Sequence, residues 1–113
     1  MIRIPWDLTE AVVLVALYID NGESISVSTD DFIRLSDMLK KRATSNGIIY
    51  DSKFRNVSGL KRQIGCVQYV ATNGAKGYSN AARIFYKAYE LFTNDPGSFL
   101  RIKEEFYSEY SEK

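Results

Sequence analysis

The sequence predicts a mainly α protein of about five helices forming one domain over residues 1–113, and three observations predict it. Helix-start chemistry recurs at Asp7, Ser28 and Asp95; apolar residues then fall at helical spacing; and Asn- and Gly-rich breaks separate the segments. A chain of 113 residues is long enough to bury a core without disulfide or metal staples.

Trp6-Asp7-Leu8-Thr9-Glu10 reads as the first start, because an Asp7 side chain can cap the helix and Glu10 answers it three residues later. The helix is expected to run to about Tyr18 or Ile19, to be apolar on nearly every side and therefore to lie centrally. Asp20-Asn21-Gly22 ends it. The second start is Ser28 with Asp31, with Val27 placed to staple onto Phe32. Phe32, Leu35, Leu39 and Ala43 make its apolar stripe, and Asn46-Gly47 closes it. Residues 24–27 and 48–50 are candidates for short β segments, the latter equally for a loop anchored on the core.

A third helix is expected from Asn56 or Val57, with Leu60, Ile64 and Val67 inward. The stretch 73–77 is a turn-rich loop. Ala81, Ile84, Phe85, Ala88, Leu91 and Phe92 mark the fourth helix. Asp95-Pro96 stops it and caps the fifth, along which Phe99, Ile102, Phe106 and Tyr110 share a side.

Composition narrows the function classes. There is no histidine and one cysteine, Cys66, so neither a metal centre nor an internal disulfide is expected, and no cofactor motif is present. No apolar run approaches the roughly 20 residues of a membrane span and the start does not resemble a signal peptide, so a cytoplasmic setting is expected. No nucleophile has a histidine to activate it and the carboxylates do not form an acid–base pair, so the expectation is a non-catalytic protein.

The net charge of +1 conceals a division. Residues 1–33 hold one Arg against six acids (−5), residues 34–87 eleven Lys or Arg against two acids (+9), and residues 88–113 three cations against six acids (−3). A basic middle points to an anionic partner. Within it, a helix offering Asn56, Ser58, Lys61, Arg62 and Gln63 after Arg55 has what nucleic-acid recognition needs: cations for phosphates, amides for base edges. The bland readings of the same residues are a solvated helix with Arg55 paired to a neighbouring acid, and Arg55 and Asn56 as a structural turn that locks the third helix in place. Tyr69 and Tyr78 lie in the basic block and are candidates for stacking on bases, whereas Tyr50, Tyr86 and Tyr89 are expected in the core. Lys76 opens a Gly-containing lead into the fourth helix that could hold a phosphate.

Four stretches together resemble a known module: Trp6 with Glu10-Ala11, Leu35-Ser36-x-x-Leu39-x-x-Arg42, Phe54-Arg55-Asn56-x-x-Gly59, and Lys76-Gly77-Tyr78-Ser79-Asn80. They are similar to the N-terminal helical module of bacterial HNH-type endonucleases and related defence and mobile-element proteins. Where that family has Met-Lys-Leu, this chain has Arg62-Gln63-Ile64. The resemblance implies first three helices of helix-turn-helix or Myb/SANT type and a DNA-reading role. The expectation is therefore a double-stranded DNA-binding module, with Arg55, Asn56, Ser58, Lys61, Arg62, Gln63, Tyr69 and Lys76 as its contacts. The rivals are an adaptor that docks an effector protein through its acidic ends and aromatic last helix, and a small inhibitor of a host defence system.

Overall fold

A computed structural model describes residues 4–111. It contains α1 (Leu8–Asp20), α2 (Thr29–Ser45), α3 (Val57–Ala71), α4 (Arg83–Asn94) and α5 (Pro96–Tyr110). No strand occurs among the described residues.

The capping chemistry sets the boundaries. Asp7 is extended and accepts the Glu10 amide at 2.9 Å, while the Glu10 carboxylate accepts the Asp7 amide at 3.1 Å, which completes the capping box. Ser28 Oγ accepts the Asp31 amide at 3.1 Å. Gly22 and Gly47 then take φ of +76° and +75° so that the amides beyond each helix fold back onto its last carbonyls: Glu23 onto Tyr18 at 3.0 Å and Ile48 onto Ala43 at 2.9 Å.

α1 is the central helix. Ala11 to Ala16 are at most 2% exposed, and the helix packs against α3, α4 and α5, while α2 leans on α3 and α5. A helix apolar all round has no solvent face to offer, so the others must enclose it. The predicted stripe of α2 is buried, as are Leu60, Ile64 and Val67 of α3.

Three expectations change. Residues 24–27 and 48–50 form no β pairing: the Ser26 amide turns onto Ser24 Oγ at 3.0 Å, and the Tyr50 hydroxyl meets Thr44 Oγ1 at 3.1 Å and donates to the Lys40 carbonyl at 3.4 Å. The Ser26 and Ile48 amides are thus spent on local acceptors rather than on a ladder. α4 begins at Arg83 rather than at Ala81, because Asn80 is left-handed (φ +71°) and Ala82 extended; Ala81 packs on the core as part of the lead-in. Tyr86 is 45% exposed rather than buried.

The aromatic residues of α5 face inward. Phe99 and Phe106 are buried, and Ile102, Tyr107 and Tyr110 pack around them against the core. Phe106 contacts Tyr107 and Tyr110 at centroid distances of 5.6 and 5.4 Å. The side of α5 that suggested a docking surface is thus the cover of α1, whose apolar girth accounts for the number of aromatic residues.

Asp95 caps α5, accepting the Ser98 amide at 3.3 Å and the Ser98 hydroxyl at 2.7 Å, and these hydrogen bonds hold its carboxyl below the usual carboxylate range. A group whose folded pKa is depressed stabilises the fold above its unfolded pKa, and that contribution is lost as pH falls through the folded value. Asp95→Asn keeps a capping oxygen without the charge. It should therefore flatten this part of the acid limb in a series of urea titrations across pH; an acid limb identical to wild type would exclude the carboxylate.

Candidate nucleic-acid interface

α3 presents two faces besides its buried one. Ser58, Lys61, Arg62 and Gly65 share the outer face at i, i+3, i+4 and i+7, and Asn56, Gly59 and Gln63 share a second face that borders a groove. Ser58, Lys61 and Arg62 are exposed, and Gln63 is half-buried.

Arg55 is not on the surface. Its side chain is 8% exposed, with Nε 2.8 Å from Glu10 Oε2 and Nη2 2.9 Å from Glu10 Oε1. Nη1 and Nη2 each donate to the Ile4 carbonyl at 3.3 Å, and Nη2 to the Pro5 carbonyl at 3.1 Å. The guanidinium lies 4.5 Å from the Trp6 ring centre and 4.4 Å from that of Phe54. Its backbone is left-handed (φ +46°), and its carbonyl accepts the Ser36 hydroxyl at 2.7 Å. Every nitrogen of the fork is engaged internally, so this arginine has little to offer a phosphate. Asn56 is likewise engaged as the cap of α3, accepting the Gly59 amide at 2.8 Å.

The second half of the outer face is covered. After Asn73 (φ +57°) ends α3, the chain turns back along it as a strap. The Tyr78 amide donates to the Gly65 carbonyl at 3.0 Å, and the Lys76 amide donates to Thr72 Oγ1 at 3.0 Å. The Tyr78 ring rests on Gly65, and Tyr69 packs against Gly74. Tyr69 is therefore half-buried beneath the strap, whereas Lys76 has a pinned backbone and an exposed side chain. Residues 46–56 connect α2 to α3, a longer path than the three or four residues of a helix-turn-helix turn. What remains open to a partner is the first two turns of α3, the strap and the start of α4.

The chain that forms that open region contributes only cations. Between Asp51 and Glu90 the chain has no acidic residue. α3 and α4 pack on each other, and the strap joins them in sequence. Lys53, Lys61, Arg62, Lys76, Arg83 and Lys87 are all exposed, and none has an acidic partner within salt-bridge distance among the described residues. The ion pairs that do form lie elsewhere: Asp7 with Arg42, Glu10 with Arg55, and Asp20 with Lys103. Lys53, Arg83 and Lys87 escaped the motif-led reading; the absence of acids over 52–89 was the signal that marks them.

The groove, about 800 Å³, runs between residues 4–6, the connector at 50–55, the second face of α3 and the lead-in to α4. Trp6, Tyr50 and Phe54 supply its aromatic wall, and Asp51, Lys53, Gln63 and Asn80 its polar groups.

Other chemistry is thin. Burial pushes the Cys66 thiol up, with the Arg62 charge opposing, so it is a poor nucleophile. Among the described residues no group of three or more Cys, Asp or Glu converges in a way that could hold a metal ion, and no helix is long and apolar enough to cross a membrane. Compared with protein-family models, with curated proteins and with solved structures, the chain finds no match.

Proposed function

We propose that the protein binds nucleic acid, with double-stranded DNA as the favoured target, through the acid-free surface formed by the first turns of α3, the strap and the start of α4. The observation that carries this reading is a set of six exposed cations in an acid-free stretch of chain, none paired with an acid among the described residues: Lys53, Lys61, Arg62, Lys76, Arg83 and Lys87. Cations left without internal partners on one surface create the positive potential that attracts a polyanion. The resemblance to the N-terminal module of HNH-type endonucleases supports the same role in a defence or mobile-element setting. Its Phe54-Arg55-Asn56 signature acts on this reading as the scaffold that sets the start of α3, and Lys61 and Arg62 make the contacts.

Fluorescence anisotropy with labelled random duplex DNA, titrated at several salt concentrations, tests the proposal. Each phosphate contact contributes about 0.9 to the slope of log affinity against log salt. The double variant Lys61→Ala, Arg62→Ala should therefore lower the slope by about 2 and weaken binding to all sequences alike. Both side chains are exposed, so the fold should be unaffected. An unchanged slope and affinity in the variant, or wild-type binding indifferent to salt, would reject this surface.

A further inference from the structure

We infer that the groove beside the N-terminal turn of α3 receives a single unpaired nucleotide of the bound DNA, its base against the aromatic wall and its phosphate toward Lys53. The inference rests on the nucleic-acid reading above and adds to it the form of DNA recognised.

The wall is a pre-built stack. Trp6, the Arg55 guanidinium, Phe54 and Tyr50 follow one another, with 4.5 Å and 4.4 Å on either side of the guanidinium and 4.7 Å between the Phe54 and Tyr50 rings, which are inclined by 27°. Tyr50 ends that ladder half-buried on the groove, held by its hydroxyl against α2. A planar base extends a ladder of planar groups at little ordering cost, because the rings are already fixed.

The polar groups of the groove fit a base edge. The carboxamides of Gln63 and Asn80 have no hydrogen-bond partner among the described residues, and each offers the donor–acceptor pair that a base edge accepts. Asp51 Oδ1 accepts the Lys53 amide at 3.0 Å, which leaves acceptor capacity for an exocyclic amine. Lys53, the one exposed cation among the lining residues, is available for the linked phosphate. At about 800 Å³ the groove lies within the range of small-molecule sites, roughly 300–1,000 Å³. A stacked base within a duplex cannot present its face or its pairing edge here, so the occupant must be unpaired.

Trp6 is the sole tryptophan and lines the groove, so its emission reports occupancy. The probes are a short duplex and the same duplex carrying one unpaired 2-aminopurine nucleotide. The bulged duplex should bind about tenfold tighter, as one stacked base implies, with both Trp6 and 2-aminopurine emission altered on binding. Gln63→Ala combined with Asn80→Gly, glycine being chosen to keep the left-handed backbone at 80, should abolish that preference. Equal, salt-dependent binding of both probes with unaltered Trp6 emission would overturn the inference and leave the duplex-binding reading standing. A preference that survives the double variant would also overturn it. Binding of neither probe would overturn both.

Discussion

Arg55→Ala is expected to destabilise the protein by about 3–5 kcal/mol, the scale on which breaking a buried ion pair leaves one charge without its partner. Glu10 is 5% exposed, and the Arg55 fork meets both of its carboxylate oxygens. Without Arg55 that carboxylate would remain buried beside the apolar core with only the Asp7 amide to satisfy it. The same substitution frees the Ile4 and Pro5 carbonyls and removes the planar group packed between Trp6 and Phe54. Typical domains are stable by only about 5–15 kcal/mol, so the loss is a large fraction of the whole. Arg55→Lys should recover little, since an ammonium supplies a point charge but neither the fork nor the stack. Urea unfolding should show the midpoint falling with the slope unchanged. A cost below about 1 kcal/mol, comparable to an exposed pair, would mean that the guanidinium is not held as described and is free to meet a phosphate.

That knot also marks the boundary of what the sequence could disclose. Caps are local chemistry, and the starts at Asp7, Ser28, Asn56 and Asp95 stand where the residues themselves announce them. The buried stripes of α2 and α3 follow from spacing for the same reason. The partnership of Glu10 with Arg55 spans 45 positions, and no periodicity reveals it. One clue was present: an acid opens a helix whose next six residues are all apolar, so an acid about to be buried needed a cation from elsewhere. Residue type leaves Phe54-Arg55-Asn56 open between recognition chemistry and a turn lock, and the Glu10 and Gly59 partners decide for the lock. Ala81 fits the period of α4 yet lies outside it, because the left-handed Asn80 delays the start. The aromatic residues of α5 look surplus only until α1 proves to need cover on that side as well. The surface cations were countable from the outset. The acid-free run from 52 to 89 was legible too, but that no acid elsewhere among the described residues pairs with these cations is known only from the structure.

Gly77→Ala should carry the second large effect, and it should act on the strap before the core. At φ +91° any side chain is strained, which costs about 1–2 kcal/mol. The added Cβ would also run into the Gly65 carbonyl oxygen and lie 2.6 Å from the Tyr69 amide nitrogen, both backbone atoms of α3 that cannot rotate away. The strap must lift, which breaks the Tyr78-to-Gly65 hydrogen bond and forfeits a further 0.5–1.5 kcal/mol or about that. Gly65→Ala provides the contrast. There the new Cβ meets the ring of Tyr78, which is 56% exposed and able to swing outward, and alanine regains about 1 kcal/mol of helix propensity. Gly77→Ala should consequently be the costlier of the two, with faster hydrogen exchange at the Lys76 and Tyr78 amides and little change in the amides of α1. The reverse order would mean that the strap does not lie against α3 as described. Because the strap positions Lys76 and covers the second half of α3, the proposed nucleic-acid reading expects its release also to weaken DNA binding and to lower the salt slope by up to about 1, the contribution of a single phosphate contact. A variant that loosens the strap yet keeps full affinity would confine the interface to Lys53, the first turns of α3 and the start of α4.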